Sequence, residues 1–128
     1  MERSRDWWVQ AQADLRHARH ALEDGDFDWA CFAAQQAAEK AVKAVFQRRH
    51  LEARGHVISI LLKNLPSGIV VPEDVLDAAR LLDKFYIPTR YPNSLEQGAP
   101  TEFYTRREAE EAIERAQSVL AFCADHLG

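Results

Sequence analysis

The feature that most limits the fold of this chain is an alanine-rich stretch, DWACFAAQQAAEKAVKAVF, at residues 28–46. Alanine has the highest helix propensity of any residue, and its short side chain lets a second helix come close. With Asp26 placed as N-cap, Phe27, Ala30, Ala34, Ala37, Ala38, Ala41 and Val45 fall on one face of a helix reaching about Arg49. A helix with such a face needs a partner along its whole length. The preceding segment supplies one: from Asp6 to Asp24 the apolar positions Trp7, Ala11, Leu15, Ala18 and Leu22 step by three or four, and Gly25 ends the pattern. The expectation is a tight antiparallel pair.

The remaining segments also read as helices. HLEARG breaks the pattern at Gly55, and His56 to Leu65 forms a short apolar helix holding Ile58, Leu61, Leu62 and Leu65. After the connecting loop PSGIVVP, Pro72 suits the first turn of a further helix, where Glu73 and Asp74 complement the N-terminal dipole. Val75, Leu76, Ala79, Leu82 and Tyr86 mark its inner face, and Pro88 disfavours helical geometry at Ile87, so this helix is expected to end near Tyr86. Ile87 to Tyr104 shows no helical pattern; connections of that length are usually functional or disordered. Thr105 and Glu108 then have capping-box spacing, ahead of a last helix that buries Ala109, Ala112, Ile113, Ala116, Val119, Leu120, Cys123 and Leu127. No stretch reads as a strand. The predicted fold is all-α, an antiparallel up-and-down helical bundle of four long helices plus one short helix, with residues 1–128 as a single domain.

Composition narrows the function. With 47% hydrophobic and 28% charged residues the chain is an ordinary folding sequence. Its net charge of −4 gives no general attraction to phosphate backbones, so a nucleic-acid contact requires a local basic patch such as Arg48, Arg49 and Arg54, or Arg106 and Arg107. No apolar run approaches the length of about 20 residues that spans a bilayer, so no membrane contact is expected. MERSRDWW lacks the apolar core of a secretory signal, and a cytoplasmic location is expected. Cys31 and Cys123 lie in helical patterns without a nearby cysteine or histidine at ligand spacing, which reads as buried thiols in a reducing compartment rather than a metal site. Phosphate loops, metalloprotease motifs and nucleophile elbows are absent, so no metal and no cofactor is expected.

Three groups of residues can carry chemistry. Arg49 and His56, with six residues between them in RHLEARGH, pair a guanidinium that can hold phosphate with an imidazole that can move a proton near neutral pH. Together they could cleave RNA through its own 2′-hydroxyl; alternatively Arg49 is a solvated helix end and His56 starts the short helix. Tyr86, Arg90 and Tyr91 combine two rings that can stack on a base with an arginine that can pair with phosphate. Their alternative role is packing under the long connection, with Arg90 paired to an acidic neighbour. Along the second helix, Glu39 and Lys43 have i, i+4 spacing and are expected on a solvated face, while Gln35 and Gln36 could reach the loop or a second subunit. Of Trp7, Trp8 and Trp29, at least one is expected to be exposed at a subunit interface.

GDFDWACFAAQQAAEKAVKAVF at 25–46, GHVISILL at 55–62 and the Tyr-x-x-x-Arg-Tyr-Pro arrangement in LLDKFYIPTRYPN at 81–93 together resemble the HEPN family, small helical domains named for nucleotide binding in higher eukaryotes and prokaryotes. The resemblance covers nearly the whole chain. It implies an antiparallel helical bundle, usually a homodimer, often produced beside a small nucleotidyltransferase as its partner in a toxin-antitoxin pair. Many members are metal-independent endoribonucleases with an Arg-x4–6-His motif. Here Leu95, Glu96 and Gln97 stand where a histidine would follow Arg90, and Arg49 with His56 alone has the motif's spacing. The resemblance therefore ranks nucleotide or RNA binding through Tyr86, Arg90, Tyr91 and His56 above catalysis by Arg49 and His56, and leaves a ligand-free structural adaptor as a third reading.

Overall fold

The computed structural model of the chain describes residues 2–86 and 97–128, which form five α-helices and no strand. Helix α1 spans Ser4–Asp24, α2 Phe27–Arg48, α3 Ile58–Lys63, α4 Glu73–Asp83 and α5 Arg106–Ala124, with a 3-10 turn at Pro100–Glu102. Four of these are long enough to build the bundle, and α3 is the short one.

Helix α2 is the centre of the molecule. It packs against α1 on one side and α5 on another, and α4 in turn covers α5. Ala30, Ala34, Ala37, Ala38, Ala41 and Ala44 are completely buried, and they meet equally buried alanines of α1 (Ala11, Ala18) and α5 (Ala109, Ala112, Ala116). The short side chains let the three backbones approach closely, which agrees with the predicted tight pairing. Burial does not stop at one face. Gln35 and Glu39 are enclosed as well, so α2 is a helix buried nearly all round rather than a surface helix with one inner stripe.

The turn between α1 and α2 uses the backbone freedom of Gly25, whose φ of 81° is left-handed. Its N–H bonds back to Leu22, and the Asp26 N–H reaches the Ala21 carbonyl at 2.9 Å, closing α1. Asp26 occupies the expected N-cap position of α2 but makes no side-chain cap bond. Helix α1 begins two residues earlier than its apolar spacing indicates, because the Glu2 carboxylate accepts the Ser4 N–H and satisfies a first-turn donor.

Two further boundaries differ from the sequence expectation for identifiable reasons. Helix α3 starts at Ile58 rather than His56, because Asp83 accepts the Ile58 N–H at 2.6 Å, the Ser59 N–H at 3.3 Å and the Ser59 hydroxyl at 2.6 Å. A carboxylate from α4 thus caps α3 and leaves His56 in the approach to it. Helix α4 ends at Asp83 rather than near Tyr86. The Lys84 and Phe85 N–H groups bond back three residues, to Leu81 and Leu82, which tightens the chain out of the α-helix before Tyr86. At α5 the capping box forms as expected: Thr105 accepts the Glu108 N–H at 3.1 Å, and Glu108 accepts the Thr105 N–H at 3.0 Å.

Candidate functional site

The site grows from Glu39, one of two carboxylates that α2 buries, the other being Asp28 in its first turn. Glu39 is only 3% exposed. One turn on, the Lys43 ammonium donates to Oε2 at 3.0 Å, and one turn back, Gln35 Nε2 donates to Oε1 at 3.1 Å. His56 Nδ1 approaches both oxygens, at 3.1 and 3.0 Å. The sequence places Glu39 on a solvated face; the ion pair to Lys43 exists, but it lies inside the site. Burial of a charged pair is tolerable here because both oxygens of the carboxylate meet donors.

This arrangement orients His56. A carboxylate accepts, so Nδ1 carries the proton, and in the neutral ring the basic nitrogen is Nε2. The His56 side chain is half-exposed, and Nε2 has no hydrogen-bond partner among the described residues. The backbone is held too: the His56 carbonyl accepts from Gln35 Nε2 at 3.2 Å, and the Asp83 cap fixes the two residues beyond Val57. Glu39 thus anchors the ring, while Gln35 holds the His56 carbonyl and Asp83 holds the chain just after it.

Tyr86 lies flat against this imidazole. The two rings stack with centroids 4.4 Å apart and planes 14° from parallel. From Tyr86 the aromatic contacts continue to Phe32 at 6.2 Å and from Phe32 to Trp29 at 6.0 Å, the last pair edge-on. Trp29 is 50% exposed, so this series runs from the imidazole out to solvent. Beside it a cleft of about 170 Å³ opens between α1 and α2, lined by His17 and by Trp29, Phe32, Gln36 and Lys40. Gln36 Nε2 donates to Gln35 Oε1 at 2.8 Å, which ties the cleft to the Glu39 cluster. Chemically, the surface offers flat rings for stacking and an imidazole with one nitrogen available, while the lysines at its border are paired, Lys40 with Asp14 and Lys43 with Glu39.

Of the residues singled out in sequence, the structure brings His56 and Tyr86 into contact. Arg90 and Tyr91 lie outside the described residues. Arg49 and His56 do not share a partner: the Arg49 guanidinium donates to the His126 carbonyl at 2.8 Å, tying the end of α2 to the chain after α5, whereas His56 is tied to Glu39. Gln35 reaches the loop before α3, one of the two roles the sequence offered for it, whereas Glu39, Phe32 and Trp29 are site residues that reading the sequence did not place there. The available signal was the absence of a polar face on α2: a helix with apolar residues nearly all round buries the few polar ones it has.

The two thiols are chemically quiet. Burial pushes the Cys31 thiol up to about 12, with Glu108 and Asp28 adding to the effect, and burial alone pushes Cys123 higher still. Both are free and buried. The Tyr104 phenol is also raised, first by burial and then by Cys31, Glu108 and Asp28. Among the described residues there is no cluster of histidine, cysteine and carboxylate side chains able to hold a metal ion, and no helix long and apolar enough to cross a membrane.

Comparison with known proteins agrees with this architecture. The family model described as "HEPN domain" matches residues 4–126. A Methanocaldococcus jannaschii protein named "Putative toxin MJ1304" is 28% identical over 127 residues, covering 92% of this chain and 84% of that protein. Among solved structures, TT1696 from Thermus thermophilus superposes with a TM-score of 0.97 at 53% identity, covering 99% of this chain and all of the other. ST0689, described as an archaeal HEPN homologue, gives 0.85 at 44% identity over the full length of both chains. A HEPN domain protein from Thermotoga maritima gives 0.77 at 42%, covering 94% of this chain and 95% of that one.

Proposed function

The chain belongs to the HEPN family, and from that premise we propose that it is a nucleotide- or RNA-binding module whose ligand lies on the His56–Tyr86 face. The observation that carries the reading is the stacked His56–Tyr86 pair, with its imidazole oriented by a buried carboxylate and flanked by Phe32 and Trp29. Such a surface suits a base on the rings and a phosphate or ribose near Nε2. Arg90 and Tyr91 complete the proposed ligand contacts from the segment that follows Tyr86. The module acts as a homodimer in the cytoplasm and as the partner of a small nucleotidyltransferase. The name of the M. jannaschii relative supports a toxin-antitoxin-type role for the pair.

Calorimetric titration of ATP and of short single-stranded RNAs tests the site. His56→Ala and Tyr86→Ala are each expected to weaken binding about tenfold, within the range for loss of one base-stacking ring. Arg90→Ala is expected to weaken it as well. Equal binding by the parent and all three variants would remove the ligand from this face.

A second reading, a metal-independent endoribonuclease, is favoured by one observation: Glu39 fixes the His56 tautomer so that Nε2 can take or give a proton. Arg49 joins such a site only after leaving the His126 carbonyl. This reading requires RNA cleavage in the presence of a chelator, lost in His56→Ala; RNA that stays intact at micromolar protein rejects it.

A further inference from the structure

Away from the Trp29 cleft, between α1 and α5, lies a groove that the nucleotide-binding reading does not use. Two recesses of about 370 and 430 Å³ adjoin there, and Trp8 and Ala124 line both, so they form one channel. Its floor is apolar: Trp8 from α1 and Ala121 and Ala124 from α5 lie at the surface, above the buried Leu15 and Leu120. Its α1 edge is cationic. Arg5 borders the first recess and Arg16 and Arg19 the second, a spacing that keeps all three on one side of the helix with Trp8.

No acidic side chain among the described residues pairs with this edge. Among the described residues Arg3, Arg48, Arg54 and Arg80 each pair with a carboxylate, whereas Arg5, Arg16 and Arg19 have no ion pair or hydrogen bond. Of the four acidic residues of α1, Asp6 pairs with Arg3 and Asp14 with Lys40 and Gln10, and Glu23 and Asp24 lie in the last turn beyond Arg19. The α5 side chains lining the groove carry no charge. On a chain with a net charge of −4, an apolar channel edged by three arginines that have no ion pair among the described residues is a local reversal of sign.

We infer that this groove is the docking site for an acidic amphipathic helix of a partner protein. A helix laid in a groove presents apolar anchors at i, i+3, i+4 and i+7, and the strip of Trp8, Ala121 and Ala124 offers apolar surface to such anchors. Carboxylates on the flank of that helix meet the guanidinium forks, which bind them bidentately. The α1 stretch from Arg5 to Arg19 rises about 21 Å at 1.5 Å per residue, so the docked helix is about four turns long. A nucleic-acid strand matches the arginines but leaves the apolar floor without a partner. The inference is independent of the ligand assigned to the His56 face.

The test uses the full chain and synthetic helical peptides of about fifteen residues, with leucines at i, i+3, i+7 and i+10 flanked by glutamates. Binding is read by NMR from the Trp8 indole N–H and by fluorescence anisotropy of the labelled peptide. The glutamate peptide is expected to bind and shift the Trp8 signal, its lysine counterpart to fail, and Arg16→Glu/Arg19→Glu to weaken binding at least tenfold. These arginines are exposed, so the variant keeps its fold, and its circular dichroism melt checks this. Three results overturn the inference. One is equal binding of the two peptides. Another is displacement of the glutamate peptide by oligouridylate. The last is sedimentation showing a dimer that the double variant dissolves, because a second copy then fills the groove.

Discussion

Asp83 holds the position of His56 from a distance, and replacing it with alanine tests that claim. Its carboxylate accepts from the Ile58 N–H, the Ser59 N–H and the Ser59 hydroxyl, with two of the three distances at 2.6 Å. Ile58 is fully buried and Ser59 nearly so, so water replaces these bonds poorly. A lost N-cap costs about 1–2 kcal/mol, and hydrogen bonds to a charged group are worth about 1.5–3 kcal/mol each. The bonds share one acceptor and α3 can relax, so the sum is smaller than three separate bonds, about 2–4 kcal/mol in total. For a chain of this size about 4 °C of melting temperature corresponds to each kcal/mol, so Asp83→Ala is expected to lower Tm by about 8–16 °C. Asp83→Asn keeps one carbonyl acceptor and falls between. Thermal melts by circular dichroism give the stability, and hydrogen exchange at Ser59 and Ile60 shows whether α3 is the part that loosens. A loss below about 3 °C, or unchanged exchange in α3, refutes the assignment of Asp83 as the cap that seats His56.

Other expectations separate structural from functional residues. Arg49→Ala removes the bond to the His126 carbonyl and is expected to lower stability by about 1–2 kcal/mol in urea unfolding while leaving nucleotide affinity unchanged. Ala37→Leu forces a larger side chain into the closed α2 seam; a loss of at least about 2 kcal/mol is expected, with retained helicity but a lower unfolding midpoint. The two buried thiols make stability fall in alkali. Their folded pKa values are raised, to about 12 for Cys31, so between about pH 9 and 12 the unfolded chain loses protons that the folded one keeps. Each thiol then removes about 1.4 kcal/mol per pH unit, and Cys31→Ala/Cys123→Ala is expected to flatten the pH dependence of urea midpoints above about pH 9 relative to the parent.

The helices were legible because alanine spacing, the Gly25 stop and the Thr105 box are local signals. The ends of α3 and α4 were not, because they depend on Asp83 reaching across to Ile58 and on i, i+3 bonds before Tyr86, and neither leaves a mark in nearby sequence. His56 and Tyr86 were visible as residue types, and each stood out beside a helix break. Their stacking required a turn and a helix end to converge. Glu39 was misplaced by a rule that is sound for surface helices, where Glu and Lys one turn apart face water. It fails on α2 because α1, α5 and the approach to α3 leave that helix little outer surface. Arg49 illustrates the converse: its spacing to His56 suggested a shared site, but its guanidinium closes the end of the bundle.

The alanine seam of α2 has a consequence for how such a chain can vary. An alanine has one smaller neighbour, glycine, which loosens a helix interior by about 1 kcal/mol, and every other replacement is larger than the space available. Mutation at Ala34, Ala37, Ala38 or Ala41 therefore has almost no neutral direction. Variation is diverted to the residues of α2 outside the seam, and these include Trp29, Gln36 and Lys40 at the open cleft. The same close packing that resists change along the seam keeps the backbone register fixed, so cleft residues can be exchanged while Glu39 and its imidazole stay in place. One helix thus combines a long seam that resists substitution with a short open stretch that tolerates it.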